Sequence, residues 1–336
     1  MERQQQWTAA RIPDQSGRVC VVTGASSGLG LATTRALARS GAHVILAVRD
    51  EEKGRRAAAG ITAEQPDARL EVRRLDLADL DSVRAFADRL HADHPHLDVL
   101  VNNAGVMAPP RTLSAQGHEL QFACNHLGHF ALTGLLLDLL AASGTGSGTG
   151  SGTGSGTAPG ADSRVVTVSS VNHRNRKTRI DFDDPHGTRA YSAMGAYNQS
   201  KLANAVFGHT LHQHLTRTGS PVRSVLAHPG YTATNLQLNG PIGLWRVVFG
   251  RIGNPLLAQS PERGALPQLY AATAPDVSGG DFIGPDGMAE LRGGPTRVEL
   301  APAASDAETG RRLWELSEQL TDVRYPFTRS RTAPSA

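Results

Sequence analysis

A β-branched run from Val19 to Val22 gives way to glycines, then to an Ala/Leu-rich stretch, then to a second apolar run, "HVILAV". Short continuous apolar runs bounded by turn residues mark strands buried on both faces, and helical spacing between them marks a crossing helix. "RVCVVTGASSGLGLATTRALARSGAHVILAVRD" is therefore predicted to be a βαβ unit of about 30 residues. The alternation continues through "LEVRRLDL", a helix near 79–93, "LDVLVNNAG", a long helix near 117–141, "SRVVTVSS", a helix near 196–217 and "VRSVLAHPG". Strand alternating with helix predicts an α/β fold with a doubly wound parallel sheet and helices on both faces. Such sheets bind ligands at the carboxyl ends of their strands, near the point where strand order reverses, so chemistry is expected there.

One stretch breaks the pattern. "SGTGSGTGSGTGSGT", from Ser143 to Thr157, has the composition of a tether between domains. It falls between a helix and a strand of the same predicted sheet, so it is expected to be a long loop inside one domain. About 15 flexible residues reach roughly 20 Å, ample for a connection that normally takes about 2 to 6 residues.

Composition narrows the class. Hydrophobic residues make up 39% and charged residues 19%, which supports a sizeable core and excludes a disordered chain. The 34 Lys and Arg against 31 Asp and Glu are dispersed, which speaks against a nucleic-acid footprint. "RNRKTR" at 174–179 is the only dense basic run and is expected to be a solvated loop. Cys20 and Cys124 sit in apolar or helical contexts without metal-type spacing, as buried thiols in a reducing compartment. Among the histidines, His126, His129, His173, His209, His212 and His214 show no convergent ligand pattern, and no metal is expected. The N-terminal segment lacks an apolar signal core, and "FALTGLLLDLLAA" is short and interrupted by Asp138. A cytoplasmic protein with no stable membrane insertion is expected.

"TGASSGLG" places Gly24, Ser26, Ser27, Gly28, Leu29 and Gly30 between the first strand and its helix. Glycines let the backbone approach a pyrophosphate, and the helix start offers free N–H groups and a favourable dipole. The spacing is GxxxGxG, and a Gly-rich turn without a ligand is the bland alternative. The second strand ends at Val48 followed by Arg49. An acidic residue there would suit the ribose of NAD, whereas a guanidinium suits the phosphate of NADP. NADP (NADPH) is preferred on this basis, with NAD as the alternative.

"TGASSGLG", "NNAG" at 102–105, "NHLGHF" at 125–130, "VSS" at 168–170 and "YNQSK" at 197–201 together resemble the short-chain dehydrogenase/reductase family over roughly residues 17–285. "DLADLDSVRAF", "NHLGHFALT", "YNQSKLAN" and "HPGYTATNL" are similar to the branch of retinol dehydrogenases, the WW-domain oxidoreductase and protochlorophyllide reductases. The resemblance implies a single Rossmann-type domain. It assigns the adenine to Asp76 and Leu77, and support of the adenosine end to Asn102, Asn103, Ala104 and Gly105. The catalytic set would be Asn125, Ser170, Tyr197 and Lys201, the last two also touching cofactor, with Pro229, Gly230, Thr232 and Thr234 around the nicotinamide.

The residue types suit carbonyl chemistry. Hydride transfer to a carbonyl leaves an alkoxide that needs a proton, and a phenol with pKa about 10 is a poor donor-acceptor at neutral pH unless a nearby ammonium stabilises its anion. Tyr197 and Lys201 are four apart and share a helix face. Ser170 can hold the carbonyl oxygen and Asn125 can help position a water relay. Seen alone, each of these residues is ordinary; their conjunction behind a dinucleotide turn is not.

Residues 1–16 are assigned to an N-terminal extension, 17–285 to the domain, 143–160 to the flexible loop, 231–260 to a substrate lid and 286–336 to a C-terminal extension. The 27 positions between Ser170 and Tyr197 predict an excursion beside the site. Leu244, Trp245, Val247, Val248, Phe249 and Ile252 suggest a lid over a lipophilic carbonyl/alcohol substrate; a packed core helix and an interfacial helix are the alternatives. A protochlorophyllide-type ring double-bond reductase and an NADP-sensing regulator without turnover are the competing functions. A small-molecule substrate is expected, nucleic acid is not, and a homo-oligomer is left open.

Overall fold

The computed structural model describes residues 6–143, 162–175, 177–232 and 259–327. Its centre is an eight-stranded sheet in the order β3-β2-β1-β4-β5-β6-β7-β8. The strands are β1 (Val19–Thr23), β2 (His43–Val48), β3 (Arg69–Arg74), β4 (Val99–Asn102), β5 (Arg164–Val168), β6 (Arg223–Ala227), β7 (Phe282–Pro285) and β8 (Pro295–Arg297). The first seven pair in parallel, and β8 closes the edge antiparallel to β7.

Helices α1 (Gly28–Arg39), α2 (Glu51–Glu64) and α3 (Leu80–Asp93) provide the first crossovers. The helix expected near 117–141 is interrupted. It runs as α4 (Leu120–Phe122), a π-helical turn (Ala123–Leu127), α5 (Gly128–Leu135) and α6 (Leu137–Ala142). α7 (Ala193–Thr218) precedes β6, α8 (Pro261–Gly264) and α9 (Leu266–Thr273) precede β7, and α10 (Pro302–Ser305) and α11 (Ala307–Thr321) follow β8.

The apolar strand runs fit a sheet covered on both faces. Along β1, Val19 and Val21 join one core with Phe86, Phe130, Phe207 and Trp314, while Cys20 and Val22 join the other with Leu37, Ile61 and Leu269. The two-residue side-chain period of a strand thus feeds two cores. The C-terminal helix belongs to the first of these. Trp314 packs edge-on against Phe130 with ring centroids 5.2 Å apart, and the Tyr325 hydroxyl donates to the Phe130 carbonyl at 2.7 Å.

Strand order reverses between β1 and β4, and the turns that leave their carboxyl ends form the crevice. The flanks of the Gly/Ser/Thr run lie at the opposite edge. The Ser143 hydroxyl donates to Asp98, which also accepts the Val19 N–H at 2.7 Å, and the Asp162 carbonyl accepts from Arg18. Residues 144–161, which hold most of the run, and residues 233–258 with the apolar stretch of the expected lid lie outside the described residues.

Candidate active site

The turn after β1 is built backbone against backbone. Gly24 has φ +68°, and a Cβ on Gly30 would lie 2.4 Å from the Gly24 carbonyl oxygen and 2.7 Å from the Asn103 amide nitrogen. No side chain larger than hydrogen fits at Gly30 without moving main chain. Across the crevice, the Thr23 hydroxyl accepts N–H groups from Asn103 and Ala104, each at 2.9 Å, and the Asn103 side chain donates to the Thr23 carbonyl at 2.8 Å. The turn and the "NNAG" loop are therefore one rigid unit.

The start of α1 differs from that of its neighbours. The N-caps of α2, α3 and α11 (Asp50, Asp79 and Asp306) accept backbone N–H groups through their side chains, and all three helices carry acidic residues in the first turn. The N-cap of α1, Ser27, makes no side-chain capping bond, and the first turn has no acid. Ser26, Ser27, Gly28 and Leu29 line this end half-buried. The N–H groups that every helix leaves unpaired at its start face the crevice with an uncompensated dipole, an arrangement that suits an anion.

Arg49 is exposed at the end of β2. The acid beside it, Asp50, is engaged as the cap of α2, accepting the Lys53 N–H at 3.0 Å. Asp76 follows β3 and uses one carboxylate oxygen to accept the Ala78 N–H at 3.0 Å, and Leu77 is buried beside it. The charges of Asp76, Arg49 and Lys201 all act on Cys124, whose thiol burial pushes up to about 12, the nearby Asp76 adding to the rise. That thiol stays protonated and is no nucleophile.

Tyr197 and Lys201 are both buried on the same face of α7, and Ser170 lies at the end of β5. Burial holds the Tyr197 phenol above its ordinary pKa, and the nearby Ser170 hydroxyl offsets only part of that rise. The expectation that Lys201 lowers this pKa is therefore not met in the protein alone. The Lys201 Nζ instead donates to the Val168 carbonyl at 3.1 Å, and burial lowers its own pKa to about 8.

Asn125 sits in the π-helical turn. Its side chain is fully engaged: Nδ2 donates to the Val106 carbonyl at 3.0 Å and to Ser200 Oγ at 2.9 Å, and Oδ1 accepts the Val106 N–H at 2.7 Å. It ties the loop after β4 to α7. A Cβ on Gly105 would lie 3.1 Å from Asn125 Oδ1 and 3.7 Å from Lys201 Nζ, so these groups meet around Gly105. Single π turns inside α-helices are frequent at functional sites because they re-aim one residue.

Sequence reasoning gave His129 no role. Its Nδ1 lies 2.9 Å from the Asn125 carbonyl, and its Nε2 lies 2.9 Å from the Thr23 hydroxyl. A carbonyl can only accept, so Nδ1 carries the proton and Nε2 accepts from Thr23. Burial lowers its pKa to about 4, which keeps the ring neutral. His129 thus links the phosphate-turn strand to the backbone of Asn125. Its position four residues after Asn125 on a helix was the available signal.

Pro229, Gly230 and Thr232 follow β6, with the Thr232 hydroxyl donating to the Pro229 carbonyl at 3.0 Å. Thr234 lies outside the described residues. The excursion after Ser170 lines a separate polar cavity of about 390 Å³ with Glu119, Lys177, Arg179, Asp181, Tyr191 and Gln199, which contains none of the four catalytic candidates. Among the described residues, no group of three or more His, Cys, Asp and Glu could hold a metal ion.

Residues 18–177 match the family model described as short chain dehydrogenase. The chain is 41% identical to polyprenol dehydrogenase of Mus musculus over 92% of its own length and 85% of that protein, and 39% identical to retinol dehydrogenase 13 of Homo sapiens over 97% and 90%. A solved structure of an uncharacterised Mycobacterium paratuberculosis protein matches at 41% identity and TM-score 0.74, covering 96% of this chain and all of that one. A short chain dehydrogenase from Escherichia coli CFT073, solved with NADPH, matches at 25% identity and TM-score 0.57, covering 77% and 92%.

Proposed function

The chain belongs to the short-chain dehydrogenase/reductase family, in its retinol dehydrogenase-like branch, and we propose that it transfers hydride between NADP(H) and a lipophilic carbonyl/alcohol pair. The observation that carries this is the gathering of Ser170 with buried Tyr197 and Lys201 at the carboxyl end of β5, where Lys201 Nζ donates to the Val168 carbonyl, in a chain whose α1 start carries neither a side-chain cap nor an acid.

The nicotinamide, when bound, supplies or takes the hydride; everything else falls to the chain. Ser170 holds the substrate oxygen by donating a hydrogen bond. Tyr197 Oη gives its proton to that oxygen as carbonyl becomes alcohol, and takes it in the reverse direction. Lys201 and Asn125 organise the route by which Tyr197 is reprotonated. The backbone at Gly24, Gly28 and Gly30 receives the pyrophosphate, Asn103, Ala104 and Gly105 line the adenosine side with Asp76 and Leu77, and Pro229 to Thr232 border the nicotinamide.

NADP preference is supported by Arg49, exposed where the second strand ends, with the acid next to it in sequence, Asp50, committed to a helix cap. A lipophilic substrate is supported by the relatives named for polyprenol and retinol, both apolar alcohols. A cytoplasmic location is part of the proposal; among the described residues no helix is long and apolar enough to cross a membrane.

The test is a panel of long-chain and short-chain carbonyls and alcohols run with NADPH, NADH and their oxidised forms. Turnover is expected with NADP(H) and apolar substrates. Preference for NADH would overturn the role of Arg49, and tight NADPH binding without turnover on any substrate would overturn the catalytic reading.

A further inference from the structure

The loop between β7 and β8 reaches back over the carboxyl ends of β5 and β6. Glu290, 19% exposed, uses its two carboxylate oxygens on two different arms of the site. Oε2 lies 2.9 Å from Nε2 of fully buried His228, the residue between β6 and Pro229. Oε1 pairs with Arg174, in the turn that opens at Ser170.

Each arm leads to a residue placed in the site. The Gly230 N–H donates to His228 Nδ1 at 3.3 Å, so the imidazole that Glu290 holds also holds the Gly230 backbone. Next to it, the Leu291 carbonyl accepts the Tyr231 N–H at 2.7 Å. Gly230 has φ +65°, and a Cβ there would lie 2.5 Å from that carbonyl oxygen, so the contact is main chain on main chain. On the other side, His173 Nδ1 donates to the Ser170 carbonyl at 2.7 Å, while its Nε2 accepts the Ala301 N–H at 3.3 Å. Arg174 also reaches the Glu299 carbonyl. The stretch from Glu290 to Ala301 therefore grips both arms.

The backbone carrying Glu290 is held against its preference. Ala289 and Glu290 have φ +53° and +56°, a region residues with a Cβ seldom occupy, let alone in succession. Such conformations persist only where the surroundings over-determine them, and they cluster at functional sites. Burial alone would raise the Glu290 carboxyl pKa; the His228 bond and the Arg174 charge outweigh it and hold the group below its ordinary value.

We infer that Glu290 is a positioning residue whose carboxylate bridges His228 and Arg174 and thereby sets the distance between Ser170, which holds the substrate oxygen, and the Pro229–Gly230 segment that borders the nicotinamide. The inference rests on the proposed function for what those two arms do, but the bridge itself is independent of turnover. Substrate carbon and nicotinamide belong to different arms, so a change in their separation affects hydride transfer more than binding of either.

The test uses the full chain with Glu290→Ala, Glu290→Gln and Arg174→Ala. Hydrogen exchange of the protein alone reads the bridge: Glu290→Ala is expected to speed exchange at least tenfold in both 169–174 and 228–232 and to leave 20–30 unchanged, whereas Arg174→Ala speeds only 169–174. With an active substrate, Glu290→Ala is expected to lower kcat at least tenfold, leave binding of 2′,5′-ADP within twofold, and raise the kinetic isotope effect from 4-deuterated cofactor. Glu290→Gln keeps an acceptor for His228 and recovers part of kcat. Unchanged exchange in both segments, uniform acceleration across the chain, or wild-type kcat in Glu290→Ala would overturn the inference. If Glu290→Ala does not fold, failure of Arg174→Ala to speed exchange in 169–174 overturns it alone. A wild-type chain with ordered exchange but no turnover would count against the proposed function and leave the bridge standing.

Discussion

The two halves of the crevice are built on different principles. The phosphate-binding part of the dinucleotide half, from β1 to the end of β2, is contiguous in sequence and made mostly of backbone: two strands, a glycine turn and an uncapped helix start. The proton-handling half gathers side chains from the π-helical turn, the end of β5, α7 and the β7–β8 loop, tied to the backbone of the loop after β4 and of Ala301. Backbone sites tolerate almost no added atoms, because main chain cannot step aside. Side-chain sites tolerate added atoms better but fail when a single hydrogen-bonding or charged group is lost.

That contrast can be broken, and the largest expected effect lies on the backbone side. Gly30→Ala puts a methyl 2.4 Å from the Gly24 carbonyl and 2.7 Å from Asn103. It should cost about 2 to 4 kcal/mol of stability by overpacking against main chain and abolish detectable dinucleotide binding by calorimetry. A variant that binds normally would show the turn to be more pliable than its contacts allow.

A smaller effect is expected from Arg49, the cation proposed to meet the phosphate in that half. Arg49→Ala should raise KM for NADPH about 10- to 100-fold, the loss of one charge-assisted pair worth about 1.5 to 3 kcal/mol, with NADH kinetics unchanged. Equal losses with both cofactors would place Arg49 in folding instead of phosphate recognition.

The smallest effect is on stability, and it has the opposite sign. Burial depresses the Lys201 pKa to about 8 in the folded chain, against about 10.4 unfolded. The unfolded state then binds more protons between those values, so the lysine's burden on folding is full below pH 8 and disappears as pH rises through this window. Lys201→Met should therefore raise the melting temperature at pH 7 by about 1 to 2 °C, as expected for roughly 1 kcal/mol in a chain of 336 residues, and the gain should vanish by about pH 10.5. A gain independent of pH would mean that the methionine packs better, not that a buried charge was relieved.

The same contrast explains what the sequence revealed. The alternation of strand and helix, the glycine turn and the Tyr197/Lys201 pair were legible because each is a local pattern: a period, a turn or a four-residue helical spacing. The antiparallel edge strand β8, only Pro295–Arg297, carries no such pattern. Residue types could also be picked out for the proton-handling half, but not their partners. Nothing in "NHLGHF" shows that His129 would bond Thr23, 106 positions earlier, or that Asn125 would spend its amide on Val106 and Ser200. Nor does the spacing of Tyr197 and Lys201 show that the lysine would turn toward Val168. Glu290 was invisible for the same reason, since its partners lie 62 and 116 residues away.

The central claim, that Tyr197 passes the proton beside an NADP(H) site, meets its most direct test in NADPH oxidation by the wild type and Tyr197→Phe on an apolar carbonyl that the wild type reduces. The account predicts at least a thousandfold loss of kcat in the variant, with NADPH affinity within threefold of wild type and an unchanged melting profile. Full activity in Tyr197→Phe would contradict it.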